Sequence, residues 1–237
     1  MIKQYLIFLL ITISFAKNEH SFVGEQLEYD ANFSFFSIGE AILTFSSDSL
    51  NGKSYYKLTT TVKTNSFMEK IYALRYEIQS WLHRDNFSLK KYIENKIETR
   101  QNPIIHETNI YADSIAVSNG KSKKIPNMVY DPIAFIYYLR NQDLNQGTNY
   151  DFFSFGRKKI RKVIVNVTGI EKITVPAGTF NCFKIEPVSN DGKPLLKNSG
   201  EMKVWISIDN LNLPVKIEQR TNFGTILMKL NKITSKI

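Results

Sequence analysis

The chain has 237 residues, 43% hydrophobic and 13% aromatic, with a formal net charge of +9. That much apolar material excludes a disordered protein and is enough to bury a substantial core. The single Cys182 excludes a disulfide framework, so stability rests on that core, and the thiol is expected to lie buried in a strand.

Residues 1–16 read as an export leader: Lys3, an apolar run from Tyr5 to Phe15, and the small residues Ser14 and Ala16 on either side of Phe15. The run is shorter than the ~20 residues a membrane-spanning helix needs. Cleavage after Ala16 is expected, and with no cysteine following the run the bacterial lipoprotein route is closed. Residues 17–237 are then expected to form a single β domain working in the periplasm or outside the cell. There the basic surplus points away from nucleic acid and toward an anionic membrane surface or an envelope polymer. With 24 lysines against 7 arginines, the surface favours solvated point charges over bidentate phosphate recognition. The two densest basic runs, 121–124 and 157–162, follow the turn signals Asn119-Gly120 and Gly156, and solvated hairpin ends account for both.

Leu27, Tyr29, Ala31, Phe33 and Phe35 alternate with Glu28, Asp30, Asn32 and Ser34, the period of two of a half-buried strand. Ala41, Leu43 and Phe45 repeat the pattern, Asn51-Gly52 supplies a tight hairpin turn, and Tyr56, Leu58, Thr60 and Val62 return. Tyr72, Leu74, Tyr76 and Ile78 follow, ending near Trp81. Further strands are expected over 89–99, 104–111, 115–117, 150–155, 159–167, 171–175, 180–186, 202–208, 215–219 and 225–230. Short strands at this frequency predict an all-β fold, a single antiparallel curved sheet in the form of a half-barrel or β-roll. One segment departs from it. Asp131 suits an N-cap and Pro132 the first helical position, and 133–140 then form one short helix, apolar on nearly every side. Such a helix has to be covered, either as a core plug in the concave face of the sheet or as a gate over a lipophilic cavity.

Several short pieces in fixed order resemble one bacterial family. They are Gly24-Glu25, Leu27 and Tyr29, then Gly39, then Tyr137-Tyr138-Leu139-Arg140 with Leu144 and Gly147. Later come Val175-Pro176-Ala177-Gly178-Thr179-Phe180, Val204-Trp205-Ile206-Ser207 with Asp209, Leu213-Pro214-Val215 and Gly224-Thr225. Together they are similar to the domain-of-unknown-function family numbered 3108, over residues 22–230. The resemblance implies an exported, mostly antiparallel β protein of the cell envelope and brings no catalytic residues. Asp131-Pro132 and Ala134 stand where a serine-rich helix start belongs in that family, so no serine-based role is carried over. Pro176 to Thr179 also reads locally as a connector, with proline at its first corner and glycine free to take a positive φ.

The histidines, His20, His83 and His106, share no metal-ligand spacing, and there is no GxSxG elbow or phosphate-cradling glycine loop. Glu25, Glu28 and Asp30 lie close together, but Glu28 and Asp30 share the polar face of their strand, where solvation explains them. No metal, no cofactor and no enzymatic activity are therefore expected. The expected function is a non-enzymatic envelope module that binds a lipophilic or acyl-chain ligand; the alternative is a structural or assembly protein that binds an envelope partner through a sheet edge or aromatic patch. The predicted ligand site is the seam where Phe135 and Tyr138 of the helix close against sheet aromatics Tyr76, Trp81 and Trp205. Arg140, at the helix C-terminus, either opposes the helix dipole or meets an anionic headgroup.

Overall fold

Turn chemistry and alternation set the strands. The computed structural model describes residues 22–156, 160–190, 201–221 and 224–235, so the expected leader and Arg157, Lys158 and Lys159 lie outside the described residues. The strands of the first half are β1 (Gln26–Phe33), β2 (Phe36–Leu50), β3 (Lys53–Thr64), β4 (Leu74–Leu82), β5 (Leu89–Glu98), β6 (Ile104–Tyr111), β7 (Ile115–Ser118) and β8 (Lys121–Lys124). A one-turn helix α1 (Ser66–Glu69) joins β3 to β4, and α2 (Pro132–Arg140) follows β8. The second half is β9 (Asn149–Phe155), β10 (Ile160–Val175), β11 (Gly178–Ser189), β12 (Glu201–Ser207), β13 (Pro214–Thr221) and β14 (Gly224–Thr234). Asn51-Gly52 and Asn119-Gly120 all have positive φ, the geometry whose twist matches a two-residue hairpin.

All fourteen strands form one open antiparallel sheet, ordered β8 to β1 and then β14 to β9. It consists of two meanders joined where β1 pairs with β14, from Gln26 opposite Thr234 to Phe33 opposite Ile226. The meanders repeat one another. In the first, Trp81 of β4 stands between Lys57 of β3 and Lys91 of β5, and its indole N–H donates to Asp48 of β2 at 2.8 Å. In the second, Trp205 of β12 stands between Lys184 of β11 and Lys216 of β13, and donates to Glu171 of β10 at 2.8 Å. A β-bulge follows each tryptophan directly. The sequences there align without a gap, Trp-Leu-His-Arg-Asp-Asn-Phe-Ser-Leu at 81–89 and Trp-Ile-Ser-Ile-Asp-Asn-Leu-Asn-Leu at 205–213. Each turn is also closed by a side chain accepting from the backbone, Asn86 from Ser88 N and Asp209 from Leu211 N.

The sheet curls until its halves face each other across α2. Residues 129–130 form a strap over the gap: Val129 accepts from Leu89 N of β5, while Tyr130 exchanges backbone hydrogen bonds with Phe153 and Phe155 of β9. Tyr92 and Phe155 meet edge to face beneath it, ring centres 5.9 Å apart. One apolar core runs through both meanders and the helix, from Leu27, Phe45 and Leu58 to Val165, Ile185 and Ile217.

Three details differ from the sequence expectation. The alternation through Phe35 ends early, because Ser34 takes φ of 53° and turns the chain, leaving Phe35 in solvent. The two strands expected over 159–167 and 171–175 are one, β10, carried across Gly169 by a bulge that keeps its pairing with β11. The third is α1, capped by Asn65 and burying no residue, so no apolar periodicity announced it.

Candidate functional site

Helix α2 is fastened at both ends. At its N-terminus the Asp131 carboxylate accepts from Ile133 N at 2.9 Å and Ala134 N at 3.1 Å, filling the cap. Burial pushes the Asp131 carboxyl up to about 6, opposed by those two backbone donors and reinforced by nearby Glu94. At its C-terminus Arg140, 1% exposed, forms a bidentate pair with Glu25, both contacts 2.6 Å. The same carboxylate accepts from the Tyr137 hydroxyl at 3.0 Å. Arg140 also donates to the Leu211 carbonyl at 3.1 Å, and its own carbonyl accepts from Asn212 at 2.9 Å. Burial works against the guanidinium charge, but the hydrogen bonds it donates to Glu25, with the charges around it, outweigh that and hold the pKa above the usual value. Burial raises the Tyr137 hydroxyl in turn, with the Glu25 charge adding to it. The clamp thus joins the helix to the segment before β1 and to the β12–β13 turn.

Between these anchors, α2 leaves an apolar recess against the inner face of β9 to β12. Phe135, Ile136 and Leu139 form one wall, and Phe152, Val165 and Val204 the other, around a small recess with about 50 Å³ open to the centres of water-sized spheres. Phe135 stacks flat on Phe152 at 3.8 Å between ring centres, with Tyr138 on its other flank at 5.2 Å. Across the helix the inner wall of the first meander, apolar at Leu27, Phe45 and Leu58, carries a polar patch on β5 to β7. Glu94 is buried with the Tyr92 hydroxyl 3.5 Å away, and Thr108 is buried with its hydroxyl bonded to Ser118 at 2.6 Å and to His106 at 3.2 Å. The Tyr92 hydroxyl is raised by burial first and then by Tyr76, Asp131 and Glu94, which places these four groups together beside the helix N-terminus. The interior therefore has an apolar recess on one side of α2 and a polar patch on the other.

The structure divides the predicted site residues among four places. Phe135 lines the recess and Tyr138 stacks behind it. Tyr76 sits on the inner wall near Tyr92. Arg140 lies at the far end of the helix with its charge already matched by Glu25. Trp81 and Trp205 are on the outer face of the sheet, under the ammonium groups of Lys57 at 4.7 Å and Lys216 at 4.1 Å. The two tryptophans are thus packed beneath lysine stems on the side of the sheet away from the helix. Sequence reasoning missed Glu25 as the partner of Arg140 and missed Glu94 and Asp131 as an interior pair. The signal for Glu94 was its two-residue spacing from Tyr92, set against the apolar Ile93 and Ile97 on the opposite face. Cys182 lies buried in β11 with its thiol pushed up by burial to about 12, which leaves it unreactive. Among the described residues no three His, Cys, Asp or Glu side chains gather to hold a metal ion, and no helix is long and apolar enough to cross a membrane.

The profile of the family described as protein of unknown function DUF3108 matches residues 28–231. The chain belongs to that family. Among solved structures, it is similar to a beta-barrel-like protein of the domain of unknown function DUF1849 from Brucella abortus. That likeness has a TM-score of 0.60 at 11% identity and covers 91% of this chain and 98% of the other. A second, a protein with a YmcC-like fold from Bacteroides fragilis, has a TM-score of 0.40 at 13% identity over 90% of this chain and 96% of its own. The DUF1849 likeness bears on the fold, a beta-barrel-like sheet. No curated protein matches the chain.

Proposed function

We propose that this DUF3108 protein is a non-enzymatic carrier or sensor of an amphipathic, acyl-chain ligand in the cell envelope. The observation that supports this most is the recess under α2. It is bounded by Phe135, Ile136, Leu139, Phe152, Val165 and Val204 and has almost no polar lining, so water inside gains little and an alkyl chain gains burial.

Native mass spectrometry of the protein from its producing cell tests the reading, since a retained ligand has a readable mass. Met202 lines the recess and is only partly buried, so Met202→Trp should fill the space at little cost to the core. Wild type is expected to carry a lipid-sized adduct and M202W to lose it while melting as a folded protein. An adduct absent from wild type, or equally abundant in M202W, would turn the reading to the assembly alternative, with a protein bound at a sheet edge.

A further inference from the structure

The five most exposed large apolar side chains among the described residues are Phe35 (99%), Phe36 (74%), Ile105 (73%), Phe67 (68%) and Ile71 (66%). All five stand at the same end of the first meander. Phe35 and Phe36 are at the β1–β2 turn, Phe67 is on α1, Ile71 is between α1 and β4, and Ile105 is at the start of β6. Single exposed apolar residues are ordinary, but a cluster of this kind asks for a partner. The three connections are also tied to one another. Asn65 donates to the Ser37 carbonyl at 2.9 Å and caps α1, Ala73 N donates to the Thr99 hydroxyl at 2.6 Å, and the Tyr72 hydroxyl bonds Glu98. The tips therefore move as one platform.

Charge selects the occupant. Glu69 and Glu98 at this end are matched by Arg75 and Lys96. Lys70 and Arg100 are exposed on the same connections. Exposed aromatic and aliphatic tips with exposed cations on the same connections are the pattern of insertion into a bilayer interface bearing anionic headgroups. We propose that this end of the sheet docks on an anionic lipid bilayer, with Phe35, Phe36, Phe67 and Ile71 entering the headgroup region and Lys70 and Arg100 meeting lipid phosphates. The recess faces the same way: Ser154, Pro187 and Met202 lie within a few residues of the ends of β9, β11 and β12 on that side.

Vesicle co-sedimentation tests the docking without relying on the ligand reading. Full-length wild type is expected to sediment with phosphatidylethanolamine–phosphatidylglycerol vesicles, less so in high salt, and weakly with phosphatidylcholine alone. Phe35 and Phe36 are solvent-facing, so Phe35→Ser with Phe36→Ser should leave the fold intact and lower partitioning about tenfold or more. Both proteins carry the same N-terminal segment, so a difference between them cannot come from it. Phe35→Trp should show a blue-shifted emission on adding anionic vesicles. Equal sedimentation of the double variant and wild type, no sedimentation of wild type, or an unshifted F35W emission would overturn the proposal. A dimer that becomes a monomer in the double variant would also overturn it, by making this end a contact between copies.

Discussion

Asp131 offers a measurement in which the interior acid reports its own surroundings. Its carboxyl is raised from 3.8 to about 6 by burial, even though it accepts two backbone N–H bonds at the start of α2. The folded state therefore holds that proton more tightly than the unfolded state does, so the stability it contributes is present in full below pH 3.8 and lost as pH rises to about 6. A difference of about two pH units at ~1.4 kcal/mol each amounts to ~3 kcal/mol. Asp131→Asn keeps an oxygen that can accept from Ile133 and Ala134, and asparagine caps helices as well as aspartate does, but it never ionises. D131N is accordingly expected to match wild type near pH 4 and to exceed it by up to ~3 kcal/mol at pH 7.5. Urea unfolding of both proteins at steps from pH 4 to 7.5 gives the difference directly, and titrations common to both cancel. A difference independent of pH, or one favouring wild type at neutral pH, would refute the claim that a buried, destabilised carboxylate sits at the head of the helix.

The other predictions concern the helix clamp, the backbone and the repeated tryptophans. Arg140→Met leaves the Glu25 carboxylate in the core without its cation and should cost ~3–5 kcal/mol in urea unfolding, whereas adding Glu25→Leu should recover part of that loss. A methyl group at Gly39 would stand 2.0 Å from the Lys63 carbonyl and 2.9 Å from Thr64 Cα, so Gly39→Ala is expected to lower stability by about 1–3 kcal/mol, read as a drop in Tm. Trp205→Phe removes the donor to Glu171 and should cost ~1–2 kcal/mol without changing ligand retention, because that ring is outside the sheet; lost retention would contradict the placement.

Local chemistry determined the strands of this protein. Period-two alternation marked the inner faces of β1 to β3, Asn-Gly pairs marked hairpins, and Asp131-Pro132 marked the start of α2, since each signal depends on residues within a few positions. The duplicated meander was also written in the chain, as 81–89 and 205–213, but its copies lie far apart and share few letters, and the match became visible only with both tryptophans under their lysines. What the tertiary structure alone decided is which faces meet. An aromatic residue at a strand position can point to either face of a curved sheet, and sequence does not say which side the helix covers. Trp81 and Trp205 thus lie outside, while Glu25, distant in sequence from Arg140, became its buried partner. Glu94 and Asp131 share the interior for the same reason: their neighbours are fixed by how far the sheet curls and where the strap at 129–130 fastens it, which no local stretch of sequence encodes.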